Sequence, residues 1–291
     1  MASGRELRLK VNGLQYRVHQ WGGDNGRPVI CLHGWMDSGA TFAALAASLG
    51  AEFRCLAPDW RGFGESERSS DGCYWFPQYL ADLDVLVDAL APHEEPVLVG
   101  HSMGGNVACL YAGVRPRRVG PVISVEGFGL TATDPQQAPR RYARWLDSLR
   151  RLPRFRDFPD HDALTRFLRE RNPRLDAERA SEIAADWGVQ RGGRVELRGD
   201  PAHKRPNPVL YRLEEAMACW REVQSPVLWV AGAESGYYRE IRRQPDWEER
   251  LACFSRLEFA SVSDAGHAVQ NDQPEALARR IRHFLAQNGS G

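Results

Sequence analysis

The chain has 291 residues, 43% of them hydrophobic, which suffices for one large domain, or a domain carrying an insertion, around a substantial buried core. Lysine plus arginine and aspartate plus glutamate number 38 each, so neither sign of charge recommends DNA, RNA or another polyanion as a partner. The first eleven residues carry Arg5, Glu6, Arg8 and Lys10 where a secretory signal needs an apolar core, and no apolar run approaches the ~20 residues that cross a bilayer, which predicts a cytoplasmic protein with no membrane partner.

Two segments, about 7–11 and 16–20, flank Asn12-Gly13 and read as a hairpin. The segments 29–31, 54–57, 97–99, 122–125, 227–230 and 257–261 are then short and apolar, separated by stretches of helical periodicity. That alternation predicts an α/β fold, a mostly parallel sheet with helices on both faces, and makes the hairpin an antiparallel edge. The six cysteines are scattered without CxxC spacing and read as reduced, mostly buried thiols.

Between 128 and 224 the rhythm breaks. Prolines punctuate the stretch, and apolar residues recur at helical spacing: Trp145, Leu146, Leu149 and Leu152 in one stripe, Leu164, Phe167 and Leu168 at the start of another. Such stripes usually bury a helix on its neighbours. Because a strand resumes at Val227, the expected organisation is a core of 1–127 and 225–291 with a helical lid, 128–224, over the carboxyl edge of the sheet. Ligands bind at that edge in open α/β folds.

The pentad Gly100-His101-Ser102-Met103-Gly104 follows the apolar run 96–99 and precedes a helical pattern. Flanking glycines let a strand turn sharply into a helix, which presents the serine hydroxyl as an accessible nucleophile. A hydroxyl needs a positioned base. Among eight histidines, His267 is the candidate, since it sits in a loop after the last strand and before the last helix. His93, His161, His203 and His283 lie in polar surroundings and read as solvated, His19 sits on the edge hairpin, and His33 and His101 read as structural. In Leu32-His33-Gly34-Trp35 a glycine again separates strand from loop, so the backbone amides of Trp35 and Met103 are the candidate oxyanion donors.

Together, His33-Gly34-Trp35, the run from Asp59 to Ser66, Gly100-His101-Ser102-Met103-Gly104-Gly105 and Gly266-His267 resemble the α/β-hydrolase fold family. His33-Gly34-Trp35-Met36-Asp37-Ser38 followed by Thr41-Phe42 is similar to its serine hydrolase-like branch. The resemblance implies Ser102 as nucleophile, His267 as base, 128–224 as the family's helical cap, and a structural Asp59. The commonest pattern places the acid three residues beyond the glycine that ends the strand 227–230, and here that position is Ser235. Glu126, at the carboxyl end of the strand 122–125, is the preferred acid, with Glu234 and Asp264 as alternatives.

The stretch from Gly127 to Ala132 matches a dinucleotide fingerprint by letter, but Asp134, Pro135 and Pro139 follow where a helix N-terminus must hold the pyrophosphate. Neither a Walker A sequence nor zinc-type histidine spacing occurs, so no cofactor and no metal are expected. Eleven arginines against five acids make 140–174 locally basic, a pattern that reads as a solvated outer face. Trp35, Trp60, Trp75, Phe76, Phe128, Trp145, Trp187, Tyr237 and Tyr238 suggest a hydrophobic acyl pocket. The expected activity is cleavage of a carboxylic ester of a small-molecule acyl substrate, by a monomer or homodimer. Thioesters, lactones and carbon–carbon bonds stay open as substrates, and Ser235 keeps open a slow, ligand-binding sensor.

Overall fold

The computed structural model describes residues 4–151 and 153–288; Leu152 of the first cap stripe lies outside them. Strands β1 (Arg5–Val11) and β2 (Leu14–Gly22) form the expected hairpin. Asn12 and Gly13 both take positive φ, 47° and 88°, as a tight two-residue turn demands. β3 (Arg27–Leu32), β4 (Phe53–Pro58), β5 (Val97–His101), β6 (Val122–Val125), β9 (Val227–Gly232) and β10 (Leu257–Val262) complete an eight-stranded sheet in the order β1-β2-β4-β3-β5-β6-β9-β10. β2 meets β4 antiparallel, and every later pairing is parallel.

The central strands are buried on both faces and therefore read as continuous apolar runs. Alternate side chains enter two separate cores. Ile30, Leu32, Leu98, Val122 and Trp229 pack with the helices Phe76–Leu90, Met103–Val114 and Leu213–Arg221. Val29, Cys31, Val97, Val99, Ile123, Leu228 and Val230 pack with the helices Ala43–Leu49 and Pro274–Asn288. All six cysteines are free.

The 128–224 segment lies between β6 and β9, which are neighbours in the sheet. It contains the helices Ala138–Leu149, His161–Arg171 and Ala177–Trp187, and a hairpin the periodicity did not predict, β7 (Gly188–Arg191) with β8 (Arg194–Leu197). Gly192-Gly193, with φ of 53° and 78°, was its available signal. Leu164 and Leu168 are buried with Phe158, Leu175, Ile183 and Val195 in a third core, as their stripe predicted. The Trp145 stripe behaves differently: no residue of Ala138–Leu149 is buried, and Tyr142, Leu146 and Leu149 are exposed. Helical spacing reports an apolar face, but only a neighbouring element can cover it.

A buried arginine ties this segment to the sheet. Arg17, on β2, donates from Nε to Asp59 at 2.7 Å and from Nη2 to Asp186 of the helix Ala177–Trp187 at 2.8 Å. Asp59 also accepts the amides of Gly39 and Glu65 at 2.8 and 2.9 Å, the structural role the resemblance implied. Burial would raise its carboxyl, but the neighbouring His19 imidazole, 3.5 Å away, and the charge of Arg17 hold it well below the usual carboxylate range. His203, expected in solvent, is instead buried and stacked between Phe63 and Tyr74, each ring centroid 3.7 Å away. Polar sequence neighbours say little about a side chain enclosed by residues more than a hundred positions distant.

Candidate active site

Ser102 stands at the turn between β5 and the helix Met103–Val114, with φ 50° and ψ −112°. A non-glycine residue in this region is strained by about 1–3 kcal/mol and persists only where its surroundings hold it. Here the Ser102 amide donates to Val125 at 2.8 Å, and its carbonyl accepts from Asn106 at 3.1 Å. A Cβ at Gly104 would overlap the Leu32 carbonyl, so only glycine lets the helix start press against the end of β3. A Cβ at Gly127 would likewise overlap the Ser102 carbonyl, so the glycine that imitated a dinucleotide fingerprint serves the packing of this turn.

Glu126 follows β6 with φ 58°, and its side chain reaches the end of β9 and the loop after the last strand. The carboxylate is fully buried. Its Oε1 accepts the Gly232 amide at 2.7 Å, and its Oε2 accepts both the Ser235 hydroxyl and Nδ1–H of His267, the latter at 2.9 Å. With its proton held on Nδ1, neutral His267 carries its free lone pair on Nε2. Among the described residues Nε2 makes no hydrogen bond, to Ser102 Oγ or to any other atom; catalytic contacts of this kind often close only around a substrate.

The other two carboxylates weighed as acids sit elsewhere. Glu234 is exposed and pairs with Arg174, from the inserted segment. Asp264 is exposed, and its carbonyl accepts from Gln273. His101 supports the His267 loop: its Nε2–H donates to the His267 carbonyl at 2.9 Å, and the two rings lie 4.9 Å apart. Burial pushes His101 down to about 3, so its ring is neutral. His33 is structural as well. It accepts the Trp60 amide on Nε2 at 2.9 Å and donates from Nδ1 to the Gly34 carbonyl at 2.7 Å.

Both candidate oxyanion donors border Ser102. Met103 opens the helix, where an amide has no intrahelical acceptor. A Cβ built on Gly34 would lie 3.3 Å from that of Ser102, which brings the loop carrying Trp35 beside the serine. Of the aromatic set, Trp60 and Phe128 are core residues and Trp35 is 53% exposed. Tyr237 ties the start of the inserted segment to the His267 ring. Its hydroxyl bridges the Phe128 amide and the Gly129 carbonyl at 2.8 and 2.9 Å, and its ring meets His267 edge-on at 5.5 Å.

Two contacts that sequence reasoning missed reach from the inserted segment to the carboxyl edge of the last two strands: Arg174 on Glu234, in the loop after β9, and Asn172 on Asp272 at 2.6 Å, whose second oxygen accepts the Gly266 amide of the His267 loop. No local signal could reveal pairings about 60 and 100 residues apart. A surface groove bordered by Arg27, Glu94, Arg117 and Arg256 lies at the amino ends of the strands and contains none of these residues.

A sharp strand–serine–helix turn at the carboxyl edge of a mostly parallel sheet, with a carboxylate-bound histidine in the loop after the last strand, is an architecture of the α/β-hydrolase type. The family model of the alpha/beta hydrolase fold matches residues 27–274, and the chain belongs to that family. It is similar to serine hydrolase-like protein 2 of Homo sapiens, 33% identical over 297 residues that cover 96% of this chain and 93% of the relative. A serine hydrolase-like protein of Danio rerio is 29% identical over 293 residues, covering 96% and 88%. Among solved structures, a thioesterase domain from the curacin biosynthetic pathway matches with a TM-score of 0.87 and 26% identity over 97% of this chain and 99% of that one. Among the described residues, no helix is long and apolar enough to cross a membrane.

Proposed function

We propose that this protein is a serine hydrolase that cleaves a carboxylic ester, or a related acyl compound, of a small molecule through an acyl-enzyme. Ser102 attacks the carbonyl, and His267 takes its proton on Nε2, later returning it to the leaving group and then activating water. Glu126 holds the imidazole tautomer and stabilises the imidazolium. The amides of Trp35 and Met103 receive the oxyanion, each donor contributing about 3 kcal/mol to lowering the barrier. The segment 128–224 acts as the lid. The observation that carries this reading is the 2.9 Å hydrogen bond from His267 to a buried glutamate that directly follows β6, the strand next to the one that the strained serine follows. Ser235, the feature that kept open a slow, ligand-binding sensor, supports the acid in this reading.

A fluorophosphonate probe tests it. Ser102 is expected to be labelled in the folded protein and Ser102→Ala to be unreactive; a folded wild-type protein that resists labelling overturns the assignment. Esters and thioesters of graded chain length then sort the acyl classes.

A further inference from the structure

One buried side chain beside the proposed acid has no part in the triad. Ser235 is 1% exposed. As the N-cap of the helix Gly236–Ile241 its hydroxyl oxygen accepts the Tyr238 amide at 3.2 Å, so its proton is directed at the other neighbour, Oε2 of Glu126. That oxygen is the one bound by His267.

We propose that Ser235 is a positioning residue that fixes the Glu126 carboxylate against His267, an inference that rests on the triad proposed above. A buried carboxylate is costly unless its oxygens are satisfied, and His267 is the only basic side chain that pairs with this one among the described residues. Three donors do that work: Gly232 on Oε1, and Ser235 and His267 on Oε2. Glutamate also has one more rotatable bond than aspartate, so reaching His267 from β6 leaves more freedom to restrain. Gly232 grips one oxygen, and Ser235, itself locked by Tyr238, grips the other. The chemistry of position 235 follows. An aspartate there would bring a second carboxylate onto the first, and two carboxylates at such range do not both ionise. A hydroxyl restrains Glu126 without competing with it.

The test uses the full chain with Ser235→Ala, Ser235→Gly, Ser235→Thr and Glu126→Gln. Glycine is nearly as good an N-cap as serine, so Ser235→Gly removes the bond to Glu126 while largely sparing the helix. The first readout is the pH dependence of the fluorophosphonate labelling rate of Ser102. The second, independent of activity, is the low-field proton resonance of His267 Nδ1–H. Ser235→Ala and Ser235→Gly should label about tenfold more slowly than wild type across the pH range and broaden or lose the resonance, while Ser235→Thr keeps both. Wild-type rate and resonance in Ser235→Gly, beside a loss in Glu126→Gln, overturn the role of Ser235 and leave the triad standing. Labelling of Glu126→Gln at the wild-type rate instead removes Glu126 from the triad. Should wild-type Ser102 resist the probe, the hydrolase reading falls, and the resonance alone decides whether Ser235 holds the pair.

Discussion

Nδ1 of His267 lies 2.9 Å from Oε2 of Glu126, and the pair is asymmetric: the carboxylate side chain is wholly buried while the imidazole side chain is 43% exposed. The fixed partner sits in the protein and the working partner faces outward. Glu126→Gln keeps the shape but can present an amide N–H to Nδ1, which favours the opposite tautomer and blocks Nε2 as a base. Turnover of a short-chain aryl ester should fall by about a thousandfold or more, with KM little changed; steady-state kinetics check it.

Glu234→Gln provides the contrast. Its exposed ion pair with Arg174 is of a kind that stabilises by at most about 1 kcal/mol, and it does not touch His267. Turnover within about twofold of wild type is expected in the same assay.

Removing one member of the Arg17–Asp59 pair leaves an uncompensated charge in the sheet. Arg17→Ala should destabilise the protein by about 3–5 kcal/mol, read as a lower urea midpoint. Because Arg17 also holds Asp186, the variant should be cut sooner within the inserted segment in limited proteolysis.

Stability should fall as the pH is lowered from 7 towards 4. Burial holds His33 down to about 4 and His101 and His203 down to about 3, all below the unfolded value near 6.5. Between those limits the unfolded chain binds protons that the fold refuses, so each group contributes stability above its unfolded pKa that is lost as pH falls, at up to about 1.4 kcal/mol per pH unit. Asp37 opposes them: burial raises it to about 6, so the fold binds that proton more readily than the unfolded chain does. Three histidines outweigh one aspartate. Urea midpoints at pH 7 and 4.5 should show the loss, and His203→Leu should remove about a third of the histidine contribution.

Gly104→Ala forces a methyl group into the Leu32 carbonyl, and both pieces of backbone belong to the core. A loss of about 1–3 kcal/mol, together with loss of Ser102 labelling, is expected from denaturant unfolding and the probe.

Much of this molecule was legible along the chain. Each of the six short, mainly apolar segments lies within one of β3, β4, β5, β6, β9 and β10, and Asn12-Gly13 marked the edge hairpin, because burial in the sheet and a positive-φ turn each restrict which residues fit locally. The strained serine carried its own glycines. Glu126 was readable as a carboxylate at a strand end, since that position depends only on where the strand stops. The burial of His203, the bare apolar face of the helix Ala138–Leu149 and the grip of Arg174 on Glu234 had no such signature.

Ser235 marks the division most clearly. In the chain it is a serine where an acid is usual, a departure whose meaning local pattern leaves open. Only the sheet, by setting β6 beside β9, brings position 126 against position 235 and shows one residue supplying the charge and the other the hydroxyl that holds it. Residue type and spacing govern what happens within a few positions of the backbone, whereas the partner of a buried carboxylate is chosen by strand order, which is a property of the whole fold.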